Sequence, residues 1–287
     1  MTNKLSLFAV VIAFLALGFA GTHQGGNAPQ PKKETVFERV MRTNTLRCGY
    51  VIVDPGLMKD PKTGAFSGPV YDIMSDIGRM LNLKIEWTEE TNFATAVTGL
   101  QMGRYDEICT TLFWRPNLMR LVELVQPYYY IPIQVVQRVG EKRFKKKEDM
   151  DVPEIKIASV DGAIPMLIAD DDFKKAKLES LPETSPYNEI LFSLVYKKAD
   201  VTFVDPLFFH HFDDANPGKV EINKDIPPLR VFGVTFAVLK GEHDLANMLS
   251  NAIVSLRDNG RIEQILGKYD PKANVLLRDA PAYVLHH

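Results

Sequence analysis

From Leu46 to Leu112 the chain alternates strand-like and helix-like hydrophobic patterns, and this alternation narrows the choice of fold more than any single motif. Leu46 to Ile52 reads as a strand. Pro69 to Leu81 reads as a helix with Val70, Ile73, Met74, Ile77, Met80 and Leu81 on one face. Leu83 to Trp87 follows as a second strand, then a helix carrying Phe93, Val97 and Leu100, then a strand from Tyr105 to Leu112 that ends in Thr110-Thr111. The order is βαβαβ, hence α/β. Right-handed crossovers make such strands parallel, so their carboxyl ends share one edge, where α/β sheets bind ligands.

A second unit begins after the charged segment Lys142 to Asp151. A strand, Pro132 to Arg138, leads into that segment. The strand Ile155 to Val160 then runs into Asp161-Gly162, a helix candidate follows, and Asp200 to Val204 runs into Asp205-Pro206. The strand Arg230 to Leu239 precedes an amphipathic helix bearing Leu245, Met248, Leu249, Ala252, Ile253 and Leu256. A shorter helix carries Ile262, Ile265 and Leu266. No internal repeat of solenoid period is present.

Residues 1–20 carry Lys4 and an apolar run from Leu5 to Ala20 that ends in Gly18-Phe19-Ala20, the pattern of a cleaved secretory signal; residues 21–35 read as a flexible linker. An uncleaved membrane anchor is the alternative. From Glu34 onward no stretch has the length and apolarity of a membrane span. The net charge of the chain is −2, and losing Lys4 makes it more negative, so nucleic acid is not an expected partner. The basic run Lys142 to Lys147 reads as a solvated loop face. Cys48 and Cys109 lie in separate strand-like segments; they can bridge if those strands are neighbours, or remain two buried thiols. No cysteine and histidine spacing suggests zinc, and no metal or cofactor is expected.

The ordered motifs Leu46-Arg47-Cys48-Gly49, Gly64 to Gly68 followed by Asp72, Leu100 to Asp106, Pro127-Tyr128, Gly233 to Lys240 and Leu256 to Gly260 resemble those of the family-3 extracellular solute-binding proteins. The resemblance runs from about Thr45 to Tyr269. It implies a type II periplasmic-binding-protein fold, two α/β lobes joined by two crossover strands with a ligand cleft between. Lobe one would span 36–131 and 231–287, lobe two 132–230, with crossovers near Tyr130 to Ile133 and Arg230 to Val234. The implied activity is capture, without chemistry, of a small polar ligand such as an amino acid for an ABC-transporter permease, by a monomer in the periplasm.

Carried over residue by residue, the resemblance implies that Asp205 meets a ligand ammonium, although Asp205-Pro206 is equally a helix N-cap followed by proline at the first helical position. Thr110 and Thr111 match hydroxyl residues that contact the ligand carboxylate, and Phe93 matches a covering aromatic ring, against the alternatives of ordinary strand composition and core packing. The arginine that reads the carboxylate is displaced: Leu118 occupies its position. Arg115, three residues earlier, offers the guanidinium fork instead, with a surface role as the alternative. Asp54 stands where an aromatic residue is common, and Asp161 adds a carboxylate at the mouth of lobe two. Asp54, Asp161 and Asp205 together would favour a cationic ligand. Two rival functions stay open: a sensory or accessory partner-binding module, and a cyclohexadienyl or arogenate dehydratase-like enzyme using Glu89, Glu90 or Asp161.

Overall fold

The computed structural model describes residues 34–271 and 275–278. The expected signal segment 1–20 and most of the linker lie outside the described residues. Helix α1 (Val36–Thr43) opens with a capping box in which Thr35 and Glu38 satisfy each other's amides. Strand β1 (Thr45–Tyr50) follows, then the short hairpin of β2 (Met58–Lys59) and β3 (Phe66–Ser67), helix α2 (Pro69–Leu81), β4 (Lys84–Glu90), α3 (Ala96–Gln101) and β5 (Glu107–Phe113). β1 pairs in parallel with both β4 and β5, as the alternation requires. Phe93 falls outside α3, in the turn before it.

After α4 (Pro116–Met119) and β6 (Val122–Leu124) comes β7, which runs from Tyr129 to Arg138 and is longer than the strand expected from Pro132. Its first residues pair antiparallel with Arg230–Val234 of β12 (Arg230–Leu239), and its later ones with the second half of the molecule. There β8 (Lys156–Val160), α5 (Ile164–Asp172), β9 (Lys177–Leu181), α6 (Glu189–Val195), β10 (Val201–Val204), α7 (Pro206–Ala215) and β11 (Val220–Ile222) form a second α/β layer. Helices α8 (His243–Asp258) and α9 (Arg261–Tyr269) return to α2 in the first lobe. The strand order is β4-β1-β5-β12-β7-β10-β8-β9, so β12 and β7 link two parallel-strand units along this path.

Cys48 and Cys109, on the adjacent strands β1 and β5, form a disulfide. Three cations of the basic run are paired in place: Arg143 bonds Glu141 and Asp200 at 2.7 Å, Lys145 bonds Asp225 at 2.5 Å, and Lys147 bonds Asp172 at 3.0 Å. No helix among the described residues is long and apolar enough to cross a membrane.

Candidate functional site

The parallel strands β1 and β5 of the first lobe and β8 and β10 of the second end in loops that carry most of the expected site residues. Arg115, in the loop after β5, reaches across the seam. Its Nη1 donates to the carbonyl oxygen of Gly162, in the turn after β8, at 3.4 Å. Its Nε is buried with no hydrogen-bond partner, and no carboxylate pairs with it among the described residues. Burial pulls this guanidinium below its ordinary pKa, but an arginine stays charged. A half-buried cation with an enclosed, idle donor is a costly arrangement unless an anion completes it.

On the second lobe, Asp205 ends β10 and caps α7. Its Oδ1 accepts the Phe208 amide at 2.8 Å, and Pro206 at the first helical position forfeits no hydrogen bond. Burial raises the Asp205 pKa, and the backbone amides of the cap oppose that rise. Two phenols stand within the reach of its charge. The Tyr129 hydroxyl, at the start of β7, is pushed upward first by burial, opposed by the Thr111 hydroxyl and reinforced by Asp205. Tyr187, in the loop before α6, keeps 36% of its surface exposed, yet burial around its hydroxyl and the Asp205 charge raise it in the same way. Its ring packs on Phe208 at 4.9 Å.

The two threonines part company. Thr110 is fully buried and its hydroxyl donates to the Val51 carbonyl at 2.7 Å, so it ties β5 to the β1 loop. Thr111 Oγ1 is buried and makes no aligned hydrogen bond. A Cβ at Gly56 would strike that hydroxyl, so glycine there lets the β1 loop close over it.

Asp54 stands opposite His211 of α7, Oδ2 to Nε2 3.6 Å, a second contact across the seam. Asp161 is exposed and accepts the Ser180 hydroxyl at 2.5 Å, so it is held at the mouth of the second lobe. The Phe93 ring is 49% exposed, which removes the core-packing alternative. Glu89 and Glu90, the acids a dehydratase would need, are paired with Arg104 at 2.5 Å and Lys59 at 3.1 Å. Tyr129, Tyr187 and His211 were missed in the sequence. The one signal that could have found any of them is the aromatic run Tyr128-Tyr129-Tyr130 at the crossover. A hollow of about 570 Å³ between α2 and α9 has its carboxylate, Asp76, bonded to both Arg79 and Arg261, and lies away from the seam.

The arrangement offers a cation from one lobe and a carboxylate from the other, with hydroxyls beside them. Both cysteines are consumed by their disulfide, so neither offers a thiol nucleophile.

The profile of the bacterial extracellular solute-binding proteins, family 3, matches residues 46–272. An L-arginine-binding protein of Pseudomonas aeruginosa is 25% identical over 229 residues, 78% of this chain and 87% of that protein. The ABC transporter glutamine-binding protein GlnH of Bacillus subtilis is 24% identical over 270 residues, 92% of this chain and 94% of that protein. Among solved structures, the ancestral amino acid-binding protein AncCDT-1, a precursor of cyclohexadienyl dehydratase, superposes with a TM-score of 0.68 at 22% identity, covering 81% of this chain and 97% of its own. A binding component of an ABC transporter from Wolinella succinogenes, complexed with lysine, gives a TM-score of 0.66 at 23% identity, over 78% and 95% of the two chains. These likenesses establish the two-lobed type II periplasmic-binding fold.

Proposed function

The chain belongs to the bacterial extracellular solute-binding proteins, family 3, and from that premise we propose that it captures an amino acid between its lobes and hands it to an ABC-type membrane permease. The carrying observation is the pair of opposite charges brought to the seam by different lobes: Arg115, half-buried with its Nε enclosed and without a carboxylate among the described residues, and Asp205, half-buried just after β10. A zwitterion completes both. Its carboxylate takes the guanidinium fork and its ammonium the Asp205 oxygen that the helix cap leaves over. Such a ligand touches both lobes at once and so favours the closed arrangement.

Thr111 and Phe93 would complete the first-lobe wall, and Asp161 and Tyr187 the second. The acids Asp54, Asp161 and Asp205 favour a cationic side chain on the ligand, with Asp54 shared with His211. Relatives named for arginine and histidine support that class, and one named for glutamine supports the wider class of polar amino acids. In this reading the protein works as a periplasmic monomer, exported by residues 1–20, and makes and breaks no covalent bond of its ligand.

A thermal-shift screen of the protein from residue 21 onward against amino acids, amines and small organic acids tests the proposal. A ligand at a hundred times its dissociation constant stabilises by about 2.7 kcal/mol. Stabilisation by arginine, lysine or ornithine is the expected result. Stabilisation by neutral or acidic amino acids alone would remove the cationic class, and no response to any amino acid would remove the capture reading.

A further inference from the structure

The crossover is built from three backbone segments. Tyr130 of β7 lies opposite Gly233 of β12 on one side. On its other side it exchanges both backbone hydrogen bonds with Leu277, amide to carbonyl at 2.7 Å and carbonyl to amide at 2.8 Å. The residues around Leu277 are firmly seated. Val275 and Leu276 are buried in the main core, and the buried carboxylate of Asp270 accepts both their amides, at 2.9 and 2.8 Å. Arg278 bonds Glu263 of α9 through two nitrogens, at 2.5 and 2.7 Å. The Val275–Arg278 segment is thereby anchored to the first lobe at both ends and pinned to the crossover in the middle.

Lobes joined by two strands move by changing φ and ψ at a few residues of those strands. Tyr130 sits at such a point, next to the Tyr129 phenol that faces Thr111 and Asp205. Its partner Gly233 is already confined, since a Cβ there would lie 2.8 Å from the Pro127 ring. The strapped backbone coexists with the seam contacts of Arg115 with Gly162 and of His211 with Asp54. We propose that Val275–Arg278 is a hinge strap which, by holding both backbone groups of Tyr130, biases the ligand-free protein toward the closed arrangement. Asp270 is its positioning residue. The inference rests on the two-lobed capture reading, and a strap of this kind raises affinity by enlarging the binding-competent fraction rather than by touching the ligand.

The test uses the full chain and three variants. Leu277→Pro removes the amide that donates to Tyr130, Asp270→Ala removes the anchor of Val275 and Leu276, and Asp270→Asn keeps an acceptor oxygen for both amides. In small-angle scattering without ligand, Leu277→Pro and Asp270→Ala are expected to show a larger radius of gyration, with faster hydrogen exchange at the Tyr130 amide and an unchanged far-UV spectrum. Asp270→Asn should stay close to the parent on all three readouts. Titration with L-arginine should show a several-fold weaker Kd for the two releasing variants. A radius of gyration that stays constant or shrinks while the Tyr130 amide exchanges faster overturns the strap. If the parent protein does not bind L-arginine, the proposed ligand class fails, while the scattering comparison still decides the hinge.

Discussion

Arg115 on the first lobe donates to the Gly162 carbonyl on the second, and a half-buried guanidinium with an enclosed, idle Nε thus spans the seam of a two-lobed protein. Because no carboxylate among the described residues offsets its charge, its removal should spare the fold and fall on the ligand. Arg115→Lys keeps the charge but loses the planar fork. The expected loss is about 1.5–3 kcal/mol of binding, roughly ten- to a hundredfold in Kd by titration calorimetry, with the ligand-free Tm equal to or above that of the parent. A Kd unchanged by the substitution would assign Arg115 to the seam alone.

Asp205 is both a helix cap and the candidate ammonium site, and two substitutions separate these roles. Asparagine caps as well as aspartate does, so Asp205→Asn should leave unfolding within about 0.5 kcal/mol of the parent while abolishing the response to cationic amino acids. Asp205→Ala loses both, at a cost of about 1 kcal/mol in stability. Denaturant unfolding and thermal shift read the two effects independently; an Asp205→Asn protein that still binds would reduce the residue to a cap.

Glu107 is fully buried on β5, with Oε1 unpartnered and Oε2 3.5 Å from Cys109 Sγ. Burial, with the neighbouring Asp106 charge adding to it, holds its pKa well above the ordinary carboxylate range. A raised native pKa means that the native state keeps the proton longer than the unfolded chain. Its stabilising contribution is complete below the unfolded value of about 4.3 and is lost as pH rises toward the native value, by about 1.4 kcal/mol for each pH unit that separates the two. Glu107→Gln should abolish this decline. Urea unfolding of both proteins at pH 4.5 and pH 7.5 measures it, and parallel pH profiles would show that Glu107 is ionised in the native state.

The Cys48–Cys109 disulfide closes a sequence separation of 61 residues between adjacent parallel strands. Loop-closure entropy alone makes it worth about 4 kcal/mol. The double Cys→Ser variant should lose that much in denaturant unfolding, and reductant should then have no further effect on it. Since Thr110 and Thr111 follow Cys109 directly on β5, weaker ligand binding should accompany the loss of stability.

Hydrophobic periodicity alone made the α/β alternation, the long helices α2 and α8 and the strand β12 legible, because half-buried elements must repeat with the geometry of their backbone. The resemblance singled out Arg115 as the candidate fork near the displaced position; that its guanidinium lies at the seam against the Gly162 carbonyl came from the structure. That the Thr110 hydroxyl donates to the Val51 carbonyl was not legible, because a hydroxyl at a strand end looks the same in sequence whichever way it turns. The placement of Tyr129, Tyr187 and His211 near Asp205 and Asp54 was beyond the sequence, since each comes from an element far away along the chain.

The sequence by itself determined the main strands and helices and that the chain is α/β, since these follow from local hydrophobic pattern. Tertiary structure alone decided that Cys48 and Cys109 are joined, that Glu107 is buried on a central strand covered on both faces, that Arg115 crosses to Gly162, and that Leu277 returns to Tyr130. Each of these is a contact between residues well separated along the chain. Such contacts are fixed by how whole layers pack, and no local periodicity encodes them.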